Sequence, residues 1–231
     1  MSMRSKHNRQ KRVARLHQTA LEHIANNGVQ GLRLNVIAKE LGYTTAALYR
    51  YYPSKETLIV ELQKITLNRM YHSLQQLLEM VVAESDVFRL LMGTHFYIEY
   101  NQRSPASFAL NSSIFSNPSI LLHGENRMQI LILMEKLLQL IQDLLYNAGV
   151  QSSKRDLSQA LCLWSSLHGV LLTQKYRNDF AVPQPNDFIS TLLLGWGVPV
   201  VHLRQAQHEL TLFHTTHPIH QYTSLDLLES S

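Results

Sequence analysis

The sequence predicts an all-α protein with a short N-terminal head and a larger helical body, and three observations carry that prediction. Apolar residues recur at spacings of three and four, no stretch alternates with period two, and Gly28, Gly42, Pro53, Pro183 and Pro185 punctuate the periodic runs. At 231 residues, 45% apolar and 16% charged, the chain can bury a sizeable core, which excludes disordered and fibrous readings. Cys162 has no cysteine to pair with. Arg4, Lys6, Arg9, Lys11, Arg12 and Arg15 stand where a secretory leader would be apolar, so a cytoplasmic chain is expected. Glu135, Lys136, Gln139 and Gln142 interrupt the most apolar stretch, and no membrane span is expected.

The first helix is predicted over residues 9–26, where Val13, Leu16, Ala20 and Ile24 share one face, and Asn27-Gly28 ends it. Leu34, Ile37, Ala38 and Leu41 mark a second, short helix, stopped by Gly42. Thr44 and Thr45 can cap a third over residues 45–51, with Leu48 and Tyr52 pointing inward and Ala46, Ala47, Tyr49 and Arg50 outward. Pro53 and Ser54 open a long fourth helix to about Ala83. The body is predicted as helices over residues 86–101, 105–115, 125–147, 153–176, 186–196 and 199–213. Loops are expected at 116–118, 147–149 and 181–186. The division expected is a helix-turn-helix domain over residues 1–53, a regulatory and dimerisation domain over 54–213, and a flexible tail over 214–231.

The formal charge of +4 is unevenly placed. Residues 1–55 hold ten Lys/Arg against Glu22 and Glu40, a net of +8, and the remainder nets −4. A basic head suits a polyanion, since each cation near a phosphate releases a condensed counterion. Two short helices joined by a glycine-containing turn, the second exposing small and hydrogen-bonding side chains, form a helix-turn-helix. Ala46 and Ala47 leave room to enter a major groove, and Arg50 can reach a guanine edge or a phosphate. Thr44, Tyr49, Tyr51 and Lys55 are placed for backbone phosphates. Singly each has a structural explanation, as packing tyrosine, helix-forming alanine or solvated lysine; together on one short helix in a basic segment they point to DNA.

The run Ile37-Ala38-Lys39-Glu40-Leu41-Gly42-Tyr43-Thr44-Thr45-Ala46-Ala47-Leu48-Tyr49-Arg50-Tyr51-Tyr52-Pro53-Ser54-Lys55-Glu56-Thr57-Leu58 closely resembles the DNA-binding domain of TetR/AcrR-family bacterial transcriptional regulators. The resemblance covers about residues 9–60. It implies an all-helical homodimer whose recognition helices read a palindromic operator in double-stranded DNA, and a body that dimerises and binds a small-molecule effector. It places DNA contacts at Thr44, Thr45, Ala46, Tyr49, Tyr51 and Lys55. Arg33 stands where the family commonly has Ser or Thr, losing a neutral cap while keeping a phosphate contact open. Tyr51 replaces a common histidine. The expected role is a repressor released by a largely apolar effector. The alternative from another class is a protein-interaction or membrane-surface module with a basic head and a dimerising body.

Beyond residue 60 the body is read on its own. Ser158, Cys162, Ser165, Gly169 and Thr173 form a stripe of small residues, expected either at a dimer contact or in tight internal packing. The resemblance favours the dimer, with Phe188, Ile189, Leu192, Leu193 and Trp196 as partner surface. Effector-site candidates are Met92, His95, Phe96, Glu99, Tyr100, Phe115, Met128, Trp164 and His168, although their mixture of aromatic and soft groups is equally that of a core. Glu99 can instead pair with His95 one turn away. His214, His217 and His220 read as a solvated tail rather than a metal site, and Cys162 as an inert core thiol. No cofactor is called for, and no catalytic constellation points to an enzyme.

Overall fold

The computed structural model describes residues 3–116, 124–150 and 156–217, with side chains described from His7 onward except at 115, 116 and 124–126. Among the described residues the regular structure is helical throughout: α1 (Met3–Gly31), α2 (Leu34–Glu40), α3 (Thr45–Tyr49), α4 (Lys55–Met80), α5 (Asp86–Arg103), α6 (Pro105–Ser116), α7 (Gly124–Asn147), α8 (Ser158–Thr173), α9 (Pro185–Gly195) and α10 (Val200–Thr216). A 3-10 turn, Gln174–Tyr176, follows α8. No helix among these residues is long and apolar enough to cross a membrane.

The head folds where its stop signals lie. Gly28 breaks α1 at φ 68°, with a short turn continuing to Gly31. Gly42, at φ 70°, closes α2: Tyr43 N–H donates to Ala38 O at 2.8 Å and Gly42 N–H to Lys39 O at 3.1 Å, satisfying carbonyls the helix end leaves open. Thr44 caps α3, its hydroxyl accepting from Ala47 N–H at 3.1 Å. At the start of α4 the capping is reciprocal: Ser54 Oγ accepts from Thr57 N–H, and Thr57 Oγ1 from Ser54 N–H. α3 stops two residues short of its predicted end, Arg50 serving as its C-cap.

Two compact units result. The first comprises the described residues up to 68 together with 104–131. Its core joins Leu16, Ala20, Ile24, Ile37, Leu48, Leu58 and Leu62 to Ala106 and Leu110 of α6, which packs along α1. The helix-turn-helix segment therefore shares its core with a helix some fifty residues downstream, which division along the chain at residue 53 does not anticipate.

The second unit comprises residues 69–103 and the described residues from 132. There α5 is buried almost all round, packs on α10 and contacts α8 and α9. α10 runs past its predicted end at Phe213 because Phe213 meets Phe88 edge-on (centroids 5.9 Å) and His214 meets His95 (5.6 Å). His214 is thus a half-buried helical residue, not part of a solvated tail; His220 lies outside the described residues. Cys162 is exposed rather than in the core.

Candidate nucleic-acid interface

In the first unit Leu48, fully buried, anchors α3. That leaves Thr44, Thr45, Ala46, Tyr49 and Arg50 exposed and Ala47 and Tyr51 half-buried. Arg33 sits at the α2 N-cap with extended backbone and no side-chain cap bond, as the loss of a neutral cap implies. Lys55 is half-buried, its Nζ donating to Gln30 O at 2.7 Å, so it ties the start of α4 to the last turn of α1, past the Gly28 break. Tyr52 points inward onto His17. Burial, helped by the Glu61 carboxylate, pushes the Tyr52 phenol up to about 12, and burial pulls His17 down, so this is a neutral pair in which the phenol O–H donates. Beside α3 lies a groove of about 370 Å³ lined by Arg9, Arg12, Tyr43, Ala47, Arg50 and Tyr51. Arg9 lies 6.0 Å from the Tyr51 ring centroid. Arg9, Arg12 and Tyr43 were not among the residues the sequence singles out as contacts.

The second unit encloses a narrow apolar cavity between α4, α5, α7 and α8, about 30 Å³, with room for one or two water-sized bodies. Leu90, Gly93, Thr94 and Tyr97 present one face of α5 to it; Leu137, Ile141 and Leu144 of α7 and Leu163, Trp164 and Leu167 of α8 close it. Its polar wall atoms are engaged within the fold. Thr94 Oγ1 donates to Leu91 O at 2.7 Å. Trp164 Nε1–H donates to the Tyr97 hydroxyl at 2.9 Å, and that hydroxyl lies 2.9 Å from His168 Nδ1. Burial raises the Tyr97 phenol and lowers His168, so the hydroxyl stays protonated and donates to a neutral imidazole.

Residues 16–62 match the family of bacterial regulatory proteins, tetR family. That match spans the helix-turn-helix segment, from within α1 through α2 and α3 into α4. Solved structures with the same fold include SCO4313, a candidate regulatory protein (21% identity, 86% of this chain and 100% of that chain, TM-score 0.56). RolR, crystallised without ligand, aligns at 16% identity over 84% and 95% of the chains, TM-score 0.57. A TetR-family transcriptional regulator from Agrobacterium tumefaciens aligns at 15% identity over 78% and 92%, TM-score 0.57. No curated protein sequence matches the chain.

In the second unit the effector candidates do not converge. Trp164 lines the cavity and His168 braces it through Tyr97. Met92, Phe96 and Tyr100 are buried off its wall, His95 packs on His214, Glu99 pairs with Arg103 at 3.2 Å rather than with His95, and Met128 is exposed on the first unit. The Phe115 side chain lies outside the described residues. α5 is buried on nearly every side, so no periodicity marks which of its faces meets the cavity. On α8 the small residues Ser158, Cys162 and Ser165 are exposed and Gly169 half-buried, beside Leu161 and Leu172, each about two-fifths exposed. Phe188 and Leu192 of α9 and Trp196 at its C-cap are half-buried, while Ile189 and Leu193 are buried.

Proposed function

We propose that this chain is a tetR-family regulator, a repressor that binds a palindromic operator as a homodimer and is released by a small, largely apolar effector. The observation that carries the reading is the α3 face, held out by the buried Leu48, capped by Thr44, and presenting Ala46, Tyr49 and Arg50 where a major-groove helix needs slim and hydrogen-bonding groups. Arg33, Thr44, Tyr49, Tyr51 and Lys55 contact phosphates, Thr45, Ala46 and Ala47 lie against base edges, and Arg50 reaches either. The small-residue stripe of α8, exposed at Ser158, Cys162 and Ser165 and half-buried at Gly169, with Leu161 and Leu172 beside it, supports pairing with a second copy, to which Phe188 and Leu192 of α9 and Trp196 at its C-cap contribute. The apolar cavity supports a neutral effector, which must widen it on entry and so favours a different state of the body. Coupling runs through α4, which leads out of the helix-turn-helix. Selecting genomic fragments on the full chain tests the reading. A protected palindrome is expected, weakened by Tyr49→Ala and by Lys55→Ala; undiminished binding by both variants overturns the assigned contact face.

A further inference from the structure

α1 begins at Met3, yet Leu16 is its first core residue. Residues 7–12 are exposed throughout, so these turns bury no apolar face that would hold them helical, and isolated turns are marginal in water. Their charge also opposes the helix. Arg4, Lys6, Arg9, Lys11 and Arg12 crowd its N-terminal half, with no acid in the first turn, where the macrodipole disfavours cations and like charges repel. Packing explains neither feature; a polyanion beside the helix would offset both.

The groove beside α3 shows where that polyanion would lie. Arg9 and Arg12, three residues apart and on one face, meet Arg50 and Tyr51 at the end of α3 and Tyr43 after the α2 turn. No acidic side chain lines it, and the two acids of residues 1–55, Glu22 and Glu40, are engaged with Gln18 and His23. The Tyr51 ring under the Arg9 guanidinium biases it toward the groove at little entropic cost.

We propose that the N-terminal turns of α1 form a second DNA-contacting element, in which Arg9 and Arg12, with Tyr43 and Arg50, grip the sugar-phosphate backbone flanking the major groove that α3 reads. This rests on the DNA-binding reading above. The contact is electrostatic and independent of base sequence, and it lengthens the footprint of each half-site beyond the recognition helix.

The test is fluorescence anisotropy of the full chain on the selected duplex and on a scrambled 30-base-pair duplex, from about 50 to 200 mM salt. The proteins compared are the unaltered chain, the Arg9→Gln/Arg12→Gln double variant and the Arg9→Lys/Arg12→Lys variant. Both arginines are exposed, so a far-UV spectrum and melting temperature matching the unaltered protein establish that the glutamine variant is folded. The expected result is a slope of log K against log salt shallower by about 1 to 2 in the glutamine variant, at about 0.9 per phosphate lost, with equal weakening on both duplexes and recovery in the lysine variant. An unchanged slope overturns the proposal and leaves the DNA-binding reading intact. Weakening confined to the selected duplex also overturns it, because that would mean base reading. Variant-sensitive binding to anionic phospholipid vesicles, with duplex binding unaffected, assigns the groove to a membrane and overturns it. No salt-dependent duplex binding by the unaltered chain overturns the underlying reading and the proposal together.

Discussion

The Tyr97 hydroxyl serves two buried partners at once, accepting from Trp164 Nε1, which lines the apolar cavity with it, and donating to His168 Nδ1 behind the wall. Removing a shared partner strands both of the others, and each unsatisfied buried group costs about 1–3 kcal/mol. Tyr97→Phe is therefore expected to lower urea-unfolding stability by about 2 kcal/mol or more; a change within experimental scatter would show that the network does not form. Burial also lowers His17, His95, His168 and His214, His95 to about 4, with the neighbouring His214 adding to the effect. Below about pH 6.5 the unfolded chain takes up protons that the folded chain refuses, so stability is full above that pH and falls on acidification towards 4. The slope is at most about 1.4 kcal/mol per pH unit for each histidine, and His95→Phe is expected to flatten the curve by one such contribution. An unaltered curve for that variant would remove His95 from the account. His95 and His168 are each singled out in the sequence, but their partners lie on α10 and α5, and pairings at such separations leave no local trace.

At the scale of elements, the head was legible because its signals are local. Gly28, Gly42, Thr44 and Ser54 each act within four residues, through a left-handed backbone or a capping hydroxyl, and every one stops or starts a helix where the sequence places it. A Cβ on Gly42 would meet nothing within 4 Å, so Gly42→Ala carries only backbone strain. A loss of about 1–2 kcal/mol is expected in the first unit; no loss would mean that the α2 turn does not need its left-handed residue. The body was less legible. α6 enters the core of the head, and α5 is buried on almost all sides, so neither carries a stripe that reveals its neighbours. The small residues of α8 did stand out, but whether they pack internally or await a partner depends on exposure, which spacing does not report; Cys162 was assigned to the core and proves exposed. Asn111 of α6 is fully buried, and neither of its amide atoms has a hydrogen-bond partner among the described residues. Asn111→Leu, similar in shape, is expected to raise the melting temperature, and a fall would show that the amide is satisfied in solution.

For the whole molecule, the formal charge of +4 resolves into a head of +8 and a body of −4, so only the head suits a polyanion. A cavity of about 30 Å³ admits no drug-sized ligand as it stands, so an effector of the proposed kind would have to select a wider body. Linkage then requires that a compound which weakens operator binding by some factor be weakened by the operator to the same degree. Titrating apolar compounds with and without duplex checks this, and a cavity ligand indifferent to duplex contradicts effector control. The central claim, that two copies of α3 read successive major grooves, is tested most directly by footprinting the full chain on its selected duplex while measuring the number of chains bound. The account predicts an even number of chains over two symmetric protected half-sites, about 34–36 Å or a multiple apart from centre to centre. One chain per site, or protection without sequence preference or symmetry, would contradict it.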